Sequence, residues 1–189
     1  MDGYVVDFHD LLGIRKLNKP GLNRKVFTDW AEQQISSGSS SSSLLILASL
    51  GLDKEISKDE VFQYFDAYID EVGYQLPDDH EAFVLSLRLT FKKLAYPLSE
   101  HDLWSELSKT FVQWYDLPAG LLNRVVSYWS ALHDDFVNNY EEGLGYYYLN
   151  HQIHGNVRPH QQADYIKTCA LRFLRLYDEA YFYKLLLKS

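Results

Sequence analysis

The chain has 189 residues, of which 47% are hydrophobic and 23% charged, and its formal net charge is −8. These values fit one globular domain with a sizeable core and argue against a nucleic-acid-binding protein. Ten glycines and five prolines are too few for a turn-rich all-β fold. A single cysteine, Cys169, excludes an internal disulfide and fits a reducing compartment.

The first residues, MDGYVVDFHD, are acidic where a signal peptide is basic. No apolar run approaches the roughly 18 residues that a membrane-spanning helix needs. We therefore expect a cytoplasmic protein with no membrane partner. Residues 1–25 are interpreted as an irregular, basic N-terminal segment. Its basic cluster, Arg15–Lys25, spans only eleven residues, so we do not expect it to bind nucleic acid in an acidic protein.

The first predicted helix covers residues 26–35, and Gly38 is a natural stop after it. Its apolar side chains recur with helical spacing at Phe27, Trp30, Ala31 and Ile35. A serine tract follows, and then Leu44–Leu50 (LLILASL) predicts a short buried helix. Neither helix could stand alone in water. We therefore interpret the tract as a turn within one core, in which one of Ser41 to Ser43 caps the second helix.

The next two predicted helices begin near residues 57 and 79. Ser57 and Glu60 have capping-box spacing, and Gly73 ends the first of these helices. Residues 83–91 (FVLSLRLTF) alternate like a strand but also keep helical spacing. We favour helix there, because periodicity alone does not decide short apolar runs and helix-capping residues flank this one.

Three further helices are expected to begin near residues 99, 118 and 160, separated by an irregular region at residues 140–159. The spacing predicts an all-α fold in which residues 1–189 form a single domain of seven to eight short antiparallel helices. Pairs of helices would repeat at about 40 residues, near the period of HEAT repeats. A compact bundle and a short HEAT-like solenoid both remain open, because no residue pattern repeats at that period.

The negative charge is concentrated in residues 53–81, which hold ten acidic residues and two lysines. Such a segment attracts basic proteins, although acidic helix faces also serve solubility alone. Tyr146 and Tyr147 belong to a run of three tyrosines that one helical face cannot bury, so some would be exposed for protein contacts. The candidate partner-binding residues are therefore Asp59, Asp66, Asp70, Glu71, Asp78, Asp79, Tyr146 and Tyr147.

One histidine cluster could bind a metal ion. His151 and His154 have a spacing that converges on a metal if the stretch is helical, and His160 could add a third ligand. Gly155 and Pro159 favour a loop instead, and the zinc-protease motif is absent. We therefore expect no metal and no cofactor, and keep these three histidines as weak candidates.

Other enzyme-like features have simpler interpretations. Cys169 lies on an apolar stripe and is expected to be a buried hydrophobic residue rather than a nucleophile. His133-Asp134-Asp135 and Glu100-His101-Asp102 place acids beside a histidine, but adjacent residues on a helix point in different directions. Both triplets are therefore expected to be exposed polar faces or caps, and no phosphate-binding loop or nucleophile elbow is present.

Residues 27–77 contain a familiar combination: Trp30-Ala31, Gly38, the apolar run Leu44–Leu50, Glu60 before Tyr64-Phe65, and Pro77. It resembles a pattern in small uncharacterised bacterial cytosolic proteins, some of the toxin-immunity type. The resemblance implies an all-helical intracellular protein, and it fixes neither a partner nor a site residue.

The sequence therefore predicts a non-catalytic protein-binding module, an immunity protein that neutralises a basic toxin through an acidic surface bearing aromatic residues. The alternatives are a helical scaffold or adaptor, and a metal-dependent enzyme that uses His151, His154 and His160.

Overall fold

The computed structural model describes residues 4–18, 23–111, 119–142 and 159–188, with side chains described except at 137–142 and 159–160. Every regular element in those ranges is helical, which confirms the all-α class. The helices are α1 (Phe8–Leu17), α2 (Lys25–Ser36), α3 (Ser42–Ser49), α4 (Lys58–Glu71), α5 (Asp79–Ala95), α6 (Glu100–Phe111), α7 (Leu121–Glu142), α8 (Pro159–Asp178) and α9 (Ala180–Leu187).

The seven predicted helices are present, and residues 83–91 are helical within α5. The expectation of an irregular segment at residues 1–25 is wrong for α1. Asp7 caps that helix, and the Asp7 and Asp10 side chains each accept a hydrogen bond from the other's backbone N–H. A ninth helix, α9, was also missed, because nothing in the apolar pattern marks its separation from α8. The irregular region at residues 140–159 lies mostly outside the described residues.

The chain divides into two compact units, and the boundary between them falls inside α5. The N-terminal unit is Val6–Ser86, and the C-terminal unit is Leu87–Ser189 together with Met1–Val5.

The core of the N-terminal unit is aromatic. Phe65 of α4 is fully buried, and its ring centroid lies 4.9 Å from that of Phe27 and 5.9 Å from that of Trp30. Phe8 of α1 stacks on Trp30 at 5.6 Å and also lies 6.0 Å from Phe65. Because α2, α3 and α4 also pack on one another, these ring contacts hold both α1 and α4 against α2.

The serine tract is a turn between two packed helices, as predicted. Gly38 adopts a left-handed φ of 100°, so the N–H of Ser39 can donate to the carbonyl of Gln34 at 3.0 Å and close α2. Ser41 then caps α3 by accepting a hydrogen bond from the Leu44 N–H at 3.2 Å. The tract is therefore a joint inside the N-terminal unit.

The prediction that the 44–50 helix is buried is wrong for one of its faces. Ser43, Leu44 and Leu47 are buried, but Leu45 and Ile46 are exposed. The cause is geometric: α3 packs on α2 and α4 along one side only, and a helix that is apolar all round then keeps apolar side chains in water.

The core of the C-terminal unit surrounds Trp129 of α7, which is fully buried. Its ring centroid lies 5.0 Å from Phe91, 5.6 Å from Phe111 and 5.6 Å from Phe173. These three rings come from α5, α6 and α8, so one tryptophan joins four helices.

Gly13 lets α1 approach α5 closely. A methyl group at Gly13 would lie 2.8 Å from Leu85 Cβ and 3.2 Å from the Ala82 carbonyl oxygen. We expect Gly13→Ala to lower the free energy of unfolding by about 1–3 kcal/mol, because neither atom can move without moving α5. Urea denaturation measures the change. The exposed Ser49→Ala is the control and should change stability by less than about 0.5 kcal/mol; equal stability of the two variants would contradict the close approach.

Candidate functional site

Helix α4 arranges three of the predicted acidic residues in a row. Asp59, Asp66 and Asp70 are separated by seven and four residues, so their side chains leave the helix on the same face. Ser57 caps the helix by accepting a hydrogen bond from the Glu60 N–H, which confirms the predicted start. A different face of α4 is buried, so the row faces outward.

Asp66 is a structural tether. Its carboxylate accepts hydrogen bonds from both Nε and Nη2 of Arg15, at 2.8 Å and 2.7 Å. The guanidinium also lies 4.5 Å from the centre of the Phe62 ring. This fork joins α1 to α4, and because both side chains are partly exposed we assign it about 1 kcal/mol. The pairing satisfies Asp66 within the fold and reduces the charge it presents to a partner.

Glu71 is tied to the serine turn. Its carboxylate accepts hydrogen bonds from the hydroxyls of Ser41 and Ser43, both at 2.5 Å, and from Ser42 at 3.3 Å. The hydroxyls of Ser41 and Ser43 stabilise the charged form and lower the pKa of Glu71 below its usual value. The carboxylate therefore joins the first turn of α3 to the last turn of α4.

Asp78 and Asp79, the two predicted acids that follow α4, also take part in contacts within the fold. Asp78 accepts a hydrogen bond from the Glu81 N–H at 2.8 Å, which caps the start of α5. Asp79 pairs with Lys16 at 3.2 Å, a solvent-exposed contact of small energy.

Asp59 and Asp70 differ from the other four acids. Both are exposed, and within the described ranges neither forms an ion pair. They lie at opposite ends of the row on α4, so their charges are available to a partner along its length.

Exposed apolar side chains continue from the end of this row. Gly73 takes a left-handed φ of 66° and ends α4, and the N–H of Tyr74 donates to the Ile69 carbonyl at 3.0 Å. Tyr74 then packs on Phe8 at 5.3 Å, and 45% of its surface stays exposed. Val72 and Leu76 are also exposed. We call Asp59, Asp70, Val72, Tyr74 and Leu76 the α4 surface.

The other residues predicted for partner or metal binding lie outside the part of the chain that the structure describes. Tyr146, Tyr147, His151 and His154, with the side chain of His160, are not among the described residues. Among those that are, no three histidine, cysteine, aspartate or glutamate side chains meet in a metal-binding cluster.

A Ser–His–Asp chain was missed at the sequence level. His133 is buried; its Nδ1 lies 3.2 Å from Asp134 Oδ1, and its Nε2 lies 3.2 Å from Ser108 Oγ on α6. The expectation that His133-Asp134-Asp135 is an exposed polar face is therefore wrong, since His133 and Asp135 are both buried. Adjacent residues leave a helix in different directions, but the His133 and Asp134 side chains still meet at 3.2 Å.

The hydrogen-bonded series Ser108–His133–Asp134 has the connectivity of a catalytic triad, but its position does not allow it to stabilise the negative charge that such a reaction creates. Ser108 lies inside α6, where the backbone N–H of each residue is bonded to the preceding turn and cannot stabilise an oxyanion. Glu100, His101 and Asp102 are exposed in the first turn of α6, as predicted. The Ser108–His133–Asp134 chain thus joins α6 to α7.

Cys169 is buried, as predicted, and its Sγ lies 3.7 Å from the Tyr128 hydroxyl. Burial raises the pKa of Tyr128, and hydrogen bonds to Tyr165 and Cys169 raise it further. A neutral phenol beside the thiol offers no base to activate it, so this group is a polar contact between α7 and α8.

Comparisons with protein-family models, with curated proteins and with solved structures find no match to this chain. In the part of the chain that the structure describes, no helix combines the length and the apolar character needed to cross a bilayer.

The Glu71 contacts predict a pH dependence. A carboxylate whose pKa is lowered by folding stabilises the fold above its ordinary pKa of 4.5, and this contribution disappears as pH falls through the lowered value. Glu71→Gln should therefore unfold more easily than the native chain at pH 7, with the difference shrinking below pH 4.5. Urea denaturation at several pH values measures this. The exposed Glu32→Gln is the control, and a pH-independent difference for Glu71→Gln would contradict the assignment.

The Ser108–His133 contact predicts a structural role. We expect His133→Ala to lower the free energy of unfolding by about 2–4 kcal/mol, because it empties a buried site and leaves the Ser108 hydroxyl unpaired. The exposed His101→Ala should cost less than about 0.5 kcal/mol. A serine-directed fluorophosphonate should leave the native protein unmodified by mass spectrometry. Stoichiometric labelling that Ser108→Ala abolishes would instead identify a nucleophile.

Proposed function

We infer that this chain is a non-catalytic protein-binding module whose α4 surface binds a basic protein. The observation that carries this proposal is that Asp59 and Asp70 are exposed and outside any ion pair in the described structure, on the same helix face, and that exposed Val72, Tyr74 and Leu76 follow Asp70 in the chain. Of the six acids predicted for partner binding, the other four are engaged within the fold, so Asp59 and Asp70 are the two of that set left for recognition.

The two parts of the α4 surface have separate physical roles. Acidic side chains attract a basic partner over about 8–10 Å at physiological salt and so raise the association rate. Tyr74 supplies a large contact area at small entropic cost, because Phe8 and the turn at Gly73 already restrict its position. Val72 and Leu76 add apolar contacts that exclude water around it.

The partner class that we propose is a toxin domain. The resemblance to immunity-type proteins covers residues 27–77, and the whole α4 surface lies in that range. Proteins of that type block a partner by covering it, which requires complementary charge and anchoring side chains but no catalytic group. A nuclease is a suitable target, since it carries the positive charge that its own substrate requires.

Charge reversal at the two unpaired acids tests the proposal. We expect Asp59→Lys/Asp70→Lys to weaken capture of a basic protein from an extract of the source cells by at least about tenfold. Asp66 is left unchanged, because its reversal would also break the tether to Arg15. Quantitative mass spectrometry of the bound fraction gives the readout, and the captured protein is then assayed for nuclease activity with and without this chain.

The control is Glu32→Lys/Glu100→Lys, which makes the same change of net charge at exposed positions that are not part of the α4 surface. It should bind like the native chain. Equal capture by the native and Asp59→Lys/Asp70→Lys chains would contradict the electrostatic proposal. Capture without inhibition of the partner would exclude the immunity role but leave the binding proposal intact.

A further inference from the structure

Helix α3 has one apolar face buried against α2 and α4 and a second apolar face exposed to solvent. Leu45 is 52% exposed, Ile46 is 40% exposed and Leu52, just after the helix, is 89% exposed. We call these three residues the α3 stripe. Leu52 ends the 3₁₀ turn Leu50–Leu52 that follows α3. An α-helical advance to Ser49 followed by that 3₁₀ turn leaves Leu52 within about 40° of Leu45 around the axis, so both lie on the same side with the small Ser49 between them. The core does not need this face, since Ser43, Leu44 and Leu47 already fill the contact with α2 and α4.

Both ends of the α3 stripe are negatively charged. At its start, Glu71 is held against Ser42 and Ser43, and Asp70 is the residue before it. At its end, the exposed residues Asp53 and Glu55 follow Leu52, with Lys54 between them. The stripe is therefore apolar in the middle and acidic at both ends, and Glu71, which stands between Asp70 and Val72 of the α4 surface in the chain, contacts Ser42 at the start of α3.

The charge pattern selects the occupant. A second copy of this chain packed stripe to stripe would bring acidic ends against acidic ends, which repel each other. A partner with an apolar centre and basic ends would satisfy both features. A helix is the suitable form, because the side-chain ridges of one helix fit the grooves of another.

We propose that the α3 stripe is the docking site for an amphipathic helix of the partner, apolar along one face and carrying lysine or arginine at both ends. This inference rests on the proposed function and specifies the partner's contact element. From Leu45 to Leu52 the chain advances about 12 Å along α3 and the 3₁₀ turn, which is close to two turns of a partner helix with apolar residues at i, i+3 or i+4, and i+7. The acidic ends set the association rate, and the buried leucines set the lifetime of the complex.

Synthetic peptides test the proposal without the natural partner. The probe is a fluorescent peptide of about 18 residues with leucine on one helical face and lysine elsewhere, and its dissociation constant is measured by anisotropy. A peptide of the same composition with scrambled order, and hence no apolar face, is the reference. We expect the native chain to bind the amphipathic peptide at least about tenfold more tightly than the scrambled one.

The stripe variant is Leu45→Ser/Ile46→Ser/Leu52→Ser, which we expect to bind both peptides with the same weak affinity. Its control is Val5→Ser/Leu98→Ser/Leu176→Ser, which removes the same number of exposed apolar side chains elsewhere and should bind like the native chain. Urea denaturation of both variants confirms that they are folded, which is expected because all six side chains are exposed.

The outcomes separate this inference from the proposed function. If the stripe variant binds like the native chain while Asp59→Lys/Asp70→Lys loses binding, the α3 stripe is not the docking site and the acidic α4 surface remains supported. If the stripe variant loses peptide binding while the charge reversal leaves capture of the basic protein unchanged, the stripe is supported and the electrostatic proposal fails. Self-association of the native chain that the stripe variant abolishes, measured by sedimentation velocity, would assign the stripe to a second copy and overturn the inference.

Discussion

The burial of Phe65 is the constraint on which the N-terminal unit depends. This one side chain of α4 contacts Phe8 of α1 and both Phe27 and Trp30 of α2, so it sets the rotation of α4 about its own axis. Once that rotation is set, the row of Asp59, Asp66 and Asp70 must face outward. The apolar core therefore determines which charges the surface presents.

The same packing decides which acidic residues remain available to a partner. Arg15 of α1 reaches Asp66 because Phe8, seven residues earlier, is fixed on Trp30 and Phe65. Glu71 meets the serine turn because α3 packs on α4. Charge density along the sequence treats all these acids alike, but ion pairing and capping use several of them within the fold. The predicted binding set is therefore larger than the set of charges free for recognition.

The serine tract shows how one short segment serves both the fold and the surface. Gly38 and Ser41 turn the chain with few residues, which brings α3 back onto α2. The hydroxyls of Ser41, Ser42 and Ser43 also donate hydrogen bonds to the Glu71 carboxylate of α4. The turn is therefore stabilised by another helix as well as by its own capping contacts. This arrangement leaves α3 packed along one side only, and the α3 stripe is its direct consequence.

Local signals in the sequence were sufficient for the helix class, for most helix starts and for the joint at the serine tract. Capping residues such as Ser41 and Ser57 and stop glycines such as Gly38 act within one turn of the backbone, so their effect is readable from neighbouring residues. Helix α1 was missed because FHDLLGIRKL is short, carries an interior glycine and lies in a basic segment. Its stability comes from Phe8 and Gly13 meeting other helices, a contribution that the local pattern does not contain.

Only the tertiary structure decided the exposed face of α3, the pairing of Asp66 and Glu71, and the burial of His133 between Ser108 and Asp134. Each depends on which helix packs against which face, and the partners are separated by 25 to 51 residues in the three long-range cases, Ser108–His133, Ser43–Glu71 and Arg15–Asp66. The sequence by itself determined where helices form and where negative charge accumulates, because those properties are local or additive. Which of those charges and apolar side chains are left for a partner is a property of packing, and packing is not local.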